Sequence, residues 1–128
     1  MKRSSLSAGL IVRKILLDSV AVTQYTQQVF PVVKDAATLP YILYRRAALH
    51  HNPTKAGQPG ADTVEMELLV YTALYDEGVD LAEAVRSSLD YACGEAQGLK
   101  MRGCVLIESE EGWENDAYVQ SMTVAIKV

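Results

Sequence analysis

From Thr63 to Tyr75 the chain alternates side chains with a period of two. Val64, Met66, Leu68, Val70, Thr72 and Leu74 fall on one side, and Glu65, Glu67, Leu69, Tyr71, Ala73 and Tyr75 on the other. This is the period of a β-strand with one face on a core. The second face begins charged and ends aromatic, so one end is expected to be wet and the other covered. The run is longer than the usual strand of about five or six residues. It is therefore expected to extend beyond the body of the domain into a protruding hairpin.

The segments around it complete the pattern. Ser5 to Val20 reads as a helix, with Leu6, Leu10, Leu17 and Val20 near one face, Ile11 and Ile15 beside it, and Ser4, Ser5 or Ser7 as its cap. Gln27 to Val33 reads as a strand that, with Pro31 in it, lies at an edge or starts with a bend. Tyr41 to Leu49 is a second strand, with Ile42, Tyr44, Arg46 and Ala48 opposite Tyr41, Leu43, Arg45 and Ala47. His50 to Asp62 carries two prolines and two glycines among polar neighbours and is expected to form a mobile hairpin tip.

After Asp76-Glu77-Gly78, Asp80 and Glu83 resemble a capping box. They open a helix with the stripe Leu81, Val85, Leu89 and Ala92, ended by Gly94 or Gly98. Met101 to Glu108 is a fourth strand, Glu110 to Asp116 an acidic turn, and Tyr118 to Val128 a fifth strand. The order αβββαββ predicts a two-layer α+β domain, with a mostly antiparallel sheet of about five strands against two helices. All 128 residues fit one domain, large enough for a core without metal or disulfides.

Composition narrows function mainly by exclusion. Hydrophobic residues make up 49% and charged residues 22% of the chain, ordinary for a globular domain, and a net charge of -4 argues against a dedicated nucleic-acid binder. Met1-Lys2-Arg3 precedes an apolar stretch, but Arg13 and Lys14 interrupt it, so no signal peptide is expected. No run of about 18 apolar residues predicts a membrane span. Cys93 and Cys104 match no zinc motif and read as two thiols.

Chemistry is sparse. His50 and His51 are adjacent, so on a strand they point to opposite faces and make poor co-ligands for one metal. The carboxylates at Glu108, Glu110, Glu111, Glu114 and Asp116 lack the spacing of a calcium loop. No glycine-rich phosphate loop, G-x-S-x-G or C-x-x-C occurs, and no cofactor is expected. Arg45 and Arg46 are expected to pair with Glu65 or Glu67 across the hairpin; the alternatives are contact with phosphate or with an acidic surface of a neighbour. Arg45, Arg46, His50, His51, Lys55, Glu65 and Glu67 are the candidate subunit or partner contacts.

Taken in order, these segments resemble the tail-completion proteins of long-tailed phages and prophages, also described as tail-terminator or head–tail joining proteins. The resemblance rests on Asp18-Ser19-Val20-Ala21-Val22-Thr23, Val29-Phe30-Pro31 and Leu39-Pro40-Tyr41-Ile42-Leu43-Tyr44. It continues through Leu81-Ala82-Glu83-Ala84-Val85-Arg86 and Tyr118-Val119-Gln120. It implies a structural protein without catalytic residues, found in the virion tail and in the host cytoplasm during assembly. It further implies a ring, commonly hexameric, that ends the tail tube and joins it to the head connector, with DNA passing through the lumen without specific binding. Two other classes stay open. One is a small ligand-binding module or enzyme with a pocket around Tyr44, Tyr71 and Tyr75. The other is a tail assembly chaperone or adaptor.

Overall fold

The computed structural model describes residues 3–33, 37–51 and 62–128. Ser4 accepts a hydrogen bond from the Leu6 amide and opens a 3₁₀ turn, Ser5–Ser7, that leads into helix α1, Ala8–Asp18. The expected single helix is broken at Ser19, which is extended and whose hydroxyl lies 2.7 Å from that of Ser88. A short α2, Val20–Thr23, follows. The buried side of α1 is Ala8, Ile11, Val12 and Leu16, and not the expected leucine stripe. Leu6 is 61% and Val20 80% exposed. Two apolar stripes compete on this helix, and the one with the branched Ile11 and Val12 faces the sheet.

Five strands form one sheet in the order β1-β2-β3-β7-β6. They are β1 (Val29–Pro31), β2 (Tyr41–His50), β3 (Thr63–Thr72), β6 (Gly103–Glu114) and β7 (Ala117–Lys127). β1 is parallel to β2 and lies at the edge, as Pro31 requires; the other pairs are antiparallel. The α+β class and the two layers are as expected.

The hairpin β2–β3 is present, but β3 does not outrun the sheet. It is central, paired with β2 from Tyr71 back to Thr63 and with β7 from Thr63 to Thr72. Long neighbours match its length. The expected mobile tip falls mostly on residues 52–61, outside the described residues. A bulge between Arg46 and Ala48 shifts the alternation of β2, so Leu49 rather than Ala48 meets the core side opposite Val64.

The helix expected near Asp80 begins five residues earlier, as α3 (Tyr75–Leu89). Asp76 and Glu77 are its first turn, where carboxylates meet the positive end of the helix dipole, rather than a strand break. Gly78 permits this start: a Cβ there would sit 2.7 Å from Thr72 Oγ1. Leu81, Val85 and Leu89 are buried as expected. The helix ends at Leu89 rather than at a glycine, and Tyr91 takes the positive φ of 61°.

A small hairpin, β4 (Gly94–Ala96) and β5 (Leu99–Met101), follows and packs on α1. It turns through Gln97 and Gly98, both with positive φ. The expected acidic turn is mostly strand. Glu110 to Glu114 belong to β6, and only Asn115 and Asp116, with φ of 52° and 58°, make the turn to β7. Asn and Asp tolerate this conformation, which suits a two-residue hairpin.

The helices cover one sheet face. Ile42, Met66, Leu68, Val70, Val124 and Ile126 pack there under Ile11, Leu16, Leu81 and Leu89. Among the described residues, no helix is long and apolar enough to cross a membrane.

Candidate functional site

The described candidate residues meet at the base of the β2–β3 hairpin, and most of them partner each other. Arg45 faces Glu67 in the strand register and its Nε donates to Glu67 Oε1 at 2.9 Å. His50 Nε2 lies 2.7 Å from Glu65 Oε2. His51 Nδ1 lies 2.8 Å from Asp62 Oδ1, and the Ser5 hydroxyl donates to the other oxygen of Asp62. Arg46 turns to the helix layer, where Nη1 donates to the Leu6 carbonyl at 2.9 Å. The expected pairing of Arg45 with a hairpin glutamate holds, while Arg46 meets neither Glu65 nor Glu67. Lys55 lies outside the described residues. Among the described residues, no cluster of three histidines, cysteines or carboxylates is placed to hold a metal.

The tyrosine pocket does not form. Tyr44 is buried on the helix side, where a Cβ on Gly9 would come within 3.0 Å of its ring. Tyr71 lies on the opposite sheet face, stacked on Tyr41 with ring centres 4.7 Å apart. Tyr75 stands at the exposed start of α3. Three tyrosines on three surfaces line no common cavity.

Two surfaces were not legible in the sequence. The first is a second apolar cluster on the sheet face away from the helices: Leu43, Tyr71, Ala117 and Val119, flanked by Phe30, Tyr41 and Leu69. At the β6–β7 end Glu114 lies near Tyr41 and Tyr71; burial first, then that carboxylate, raises both phenols above their ordinary pKa.

The second surface is an aromatic ladder on the other side of the same hairpin. Trp113 meets Tyr118 edge-on at 4.8 Å, and Tyr118 meets Tyr75 edge-on at 5.7 Å. Trp113 is 60% exposed, and Leu74 and Tyr75 at the start of α3 are exposed too. Glu111 ties the ladder together, accepting from Tyr75 Oη at 2.8 Å and from Gln120 Nε2 at 3.0 Å. These two bonds, Gln120 first, lower its pKa, and the same Tyr75 bond raises that of the phenol. The Asn115-Asp116 pair was the available signal, because a two-residue turn makes the flanking residues strand.

Both cysteines are free thiols. Cys93 is exposed; Cys104 is buried, and burial, with Asp90 adding to it, pushes its pKa up to about 12.

Comparison with known proteins places this architecture. A protein in a structure described as "Virion of native gene transfer agent (GTA) particle" superposes with a TM-score of 0.79 at 17% identity, covering 98% of each chain. At that identity the likeness speaks for the fold. A comparison with curated proteins finds no match. The family described as "Tail completion protein gp17" matches residues 11–128, from the first turn of α1 to the end of β7. The chain therefore belongs to the phage tail-completion proteins.

Proposed function

We propose that this protein forms a closed ring, hexameric by resemblance, that ends the tail tube and joins it to the head connector. That it is a structural tail protein follows from its family, and the match over 11–128 is the observation that carries the rest. The likeness of its fold to a protein of a gene transfer agent virion supports a place in the particle. Its exposed surfaces support assembly. The Trp113 ladder is a wet aromatic patch of the kind enriched in protein interfaces. DNA then passes through the lumen without specific binding, which a net charge of -4 favours by limiting phosphate neutralisation.

The test is assembly. Light scattering and electron microscopy of the purified chain, alone and with tail-tube protein, are expected to reveal rings that cap tubes. A chain that stays monomeric in both settings overturns the proposal. Mass spectrometry of purified particles separates a resident ring protein from an assembly chaperone that departs: the peptide is expected in the particle.

A further inference from the structure

The ladder has a chemical complement elsewhere on the same chain. Between α1 and the β1–β2 edge lies a groove of about 420 Å³, lined by Leu6, Gly9, Val32, Tyr44 and Arg46 among others. Leu6 and Val32 are both exposed large apolar residues. Arg46 makes no ion pair among the described residues; its guanidinium is held by a backbone carbonyl. Val32 also carries a φ of 61°. A β-branched residue in the left-handed region is strained, and such strain recurs where a segment is shaped for contact.

The ladder answers these features. It presents an indole and two phenols, and its neighbours are acidic: Glu111 within it, and Asp76 and Glu77 in the first turn of α3. An apolar groove rimmed by the Arg46 guanidinium fits an aromatic knob rimmed by carboxylates, since Arg stacks on aromatic faces and pairs with carboxylates. β1 and β6 are opposite edges of the sheet. A contact between unlike patches is heterologous, and it closes into a ring when the rotation between copies permits.

We propose that the Trp113–Tyr118–Tyr75 ladder of one copy seats in the Leu6–Val32–Arg46 groove of the next. This rests on the ring proposed above and names the surfaces that build it. Trp113 is the anchor, since buried aromatics dominate interface energetics and bring roughly 150–250 Å² each.

Two variants test it. Trp113→Ala removes the knob and leaves the groove. Val32→Asp places a carboxylate in front of an acidic knob, at a backbone conformation that Asp tolerates better than Val. Both positions are exposed, so both chains are expected to melt near the wild-type temperature. Each alone is expected to weaken assembly at least tenfold by sedimentation. Mixed in equal amounts, they are expected to yield a dimer and nothing larger, because only the Val32→Asp knob and the Trp113→Ala groove remain competent. Variants that assemble like wild type, or a mixture that yields no dimer, overturn this interface while the ring stands. Variants that still form rings but no longer bind tail-tube protein assign the ladder to that protein instead, and equally overturn it. A wild-type chain that never assembles, with or without tail-tube protein, overturns both.

Discussion

The two faces of the one sheet are built from the same strands and have opposite fates. Under the helices, Ile42, Leu68, Val70 and Ile126 are fully buried among α1 and α3. On the other face, among the described residues, burial is confined to Leu43, Tyr71, Ala117 and Val119, and Arg45, Glu67 and Glu108 continue the same rows as exposed or half-exposed charge. The alternation that makes a core on one side leaves a graded surface on the other, apolar near the β6–β7 turn and polar toward the β2–β3 base. One face determines whether the chain folds; the other and its hairpin end are available to other chains.

The contrast can be broken in several places. The largest effect concerns the thiols. At pH 8, a thiol titrating at about 12, as Cys104 does, carries about a thousandfold less thiolate than one titrating at the ordinary 9. A thiol reagent is expected to label exposed Cys93 alone in the native protein and both cysteines in denaturant. Rapid labelling of two thiols in the native state would show that the helix side opens.

Next, Leu68→Ala beneath the helices is expected to cost about 2–5 kcal/mol in denaturant unfolding, through lost burial and a cavity. Gly78→Ala sets two effects against each other. Helix propensity favours Ala by about 1 kcal/mol, but the added Cβ meets Thr72 Oγ1, and overpacking costs about 1–3 kcal/mol. Net destabilisation is expected; a more stable variant would mean that Thr72, bonded to the Leu74 carbonyl, yields easily.

On the outer face, Tyr71→Leu keeps an apolar side chain but removes the stack on Tyr41, with an expected loss of about 0.5–1.5 kcal/mol. The smallest effect belongs to the Arg45–Glu67 pair, with side chains 46% and 25% exposed. A double-mutant cycle is expected to give less than about 1 kcal/mol, falling with salt. A coupling as large as the Leu68 effect would erase the distinction between the faces.

The strands with two paired neighbours were the legible ones. β3 and β7 alternate cleanly because each strand has one face on the core along its whole length. The helices were legible in kind but not in detail. The leucines at 6, 10 and 17 mark a stripe as apolar as the buried one, and only packing against the sheet selects between them. The start of α3 was hidden because Asp80 and Glu83 imitate a cap, while the true start depends on Gly78 fitting against Thr72, a contact between elements. Glu110 to Glu114 have poor strand propensity and are held extended by pairing with β7.

The charges of the hairpin base were readable because cross-strand neighbours follow from register. The ladder was not readable. Tyr75 opens a helix, Trp113 and Tyr118 flank a turn, and only the fold makes them neighbours.

The outer strand β6 runs for twelve residues with only β7 beside it among the described strands. A long free strand edge ordinarily invites an identical edge to zip onto it without limit. Here its latter half carries Glu108, Glu110, Glu111 and Glu114. Two such strands brought together antiparallel would set carboxylate against carboxylate along the shared line. Copies crowded in an assembling cell thus repel along the direction in which sheets would grow into fibres. Polymerisation by sheet extension is closed off, and contacts that carry their own complementary charge are left as the way to meet.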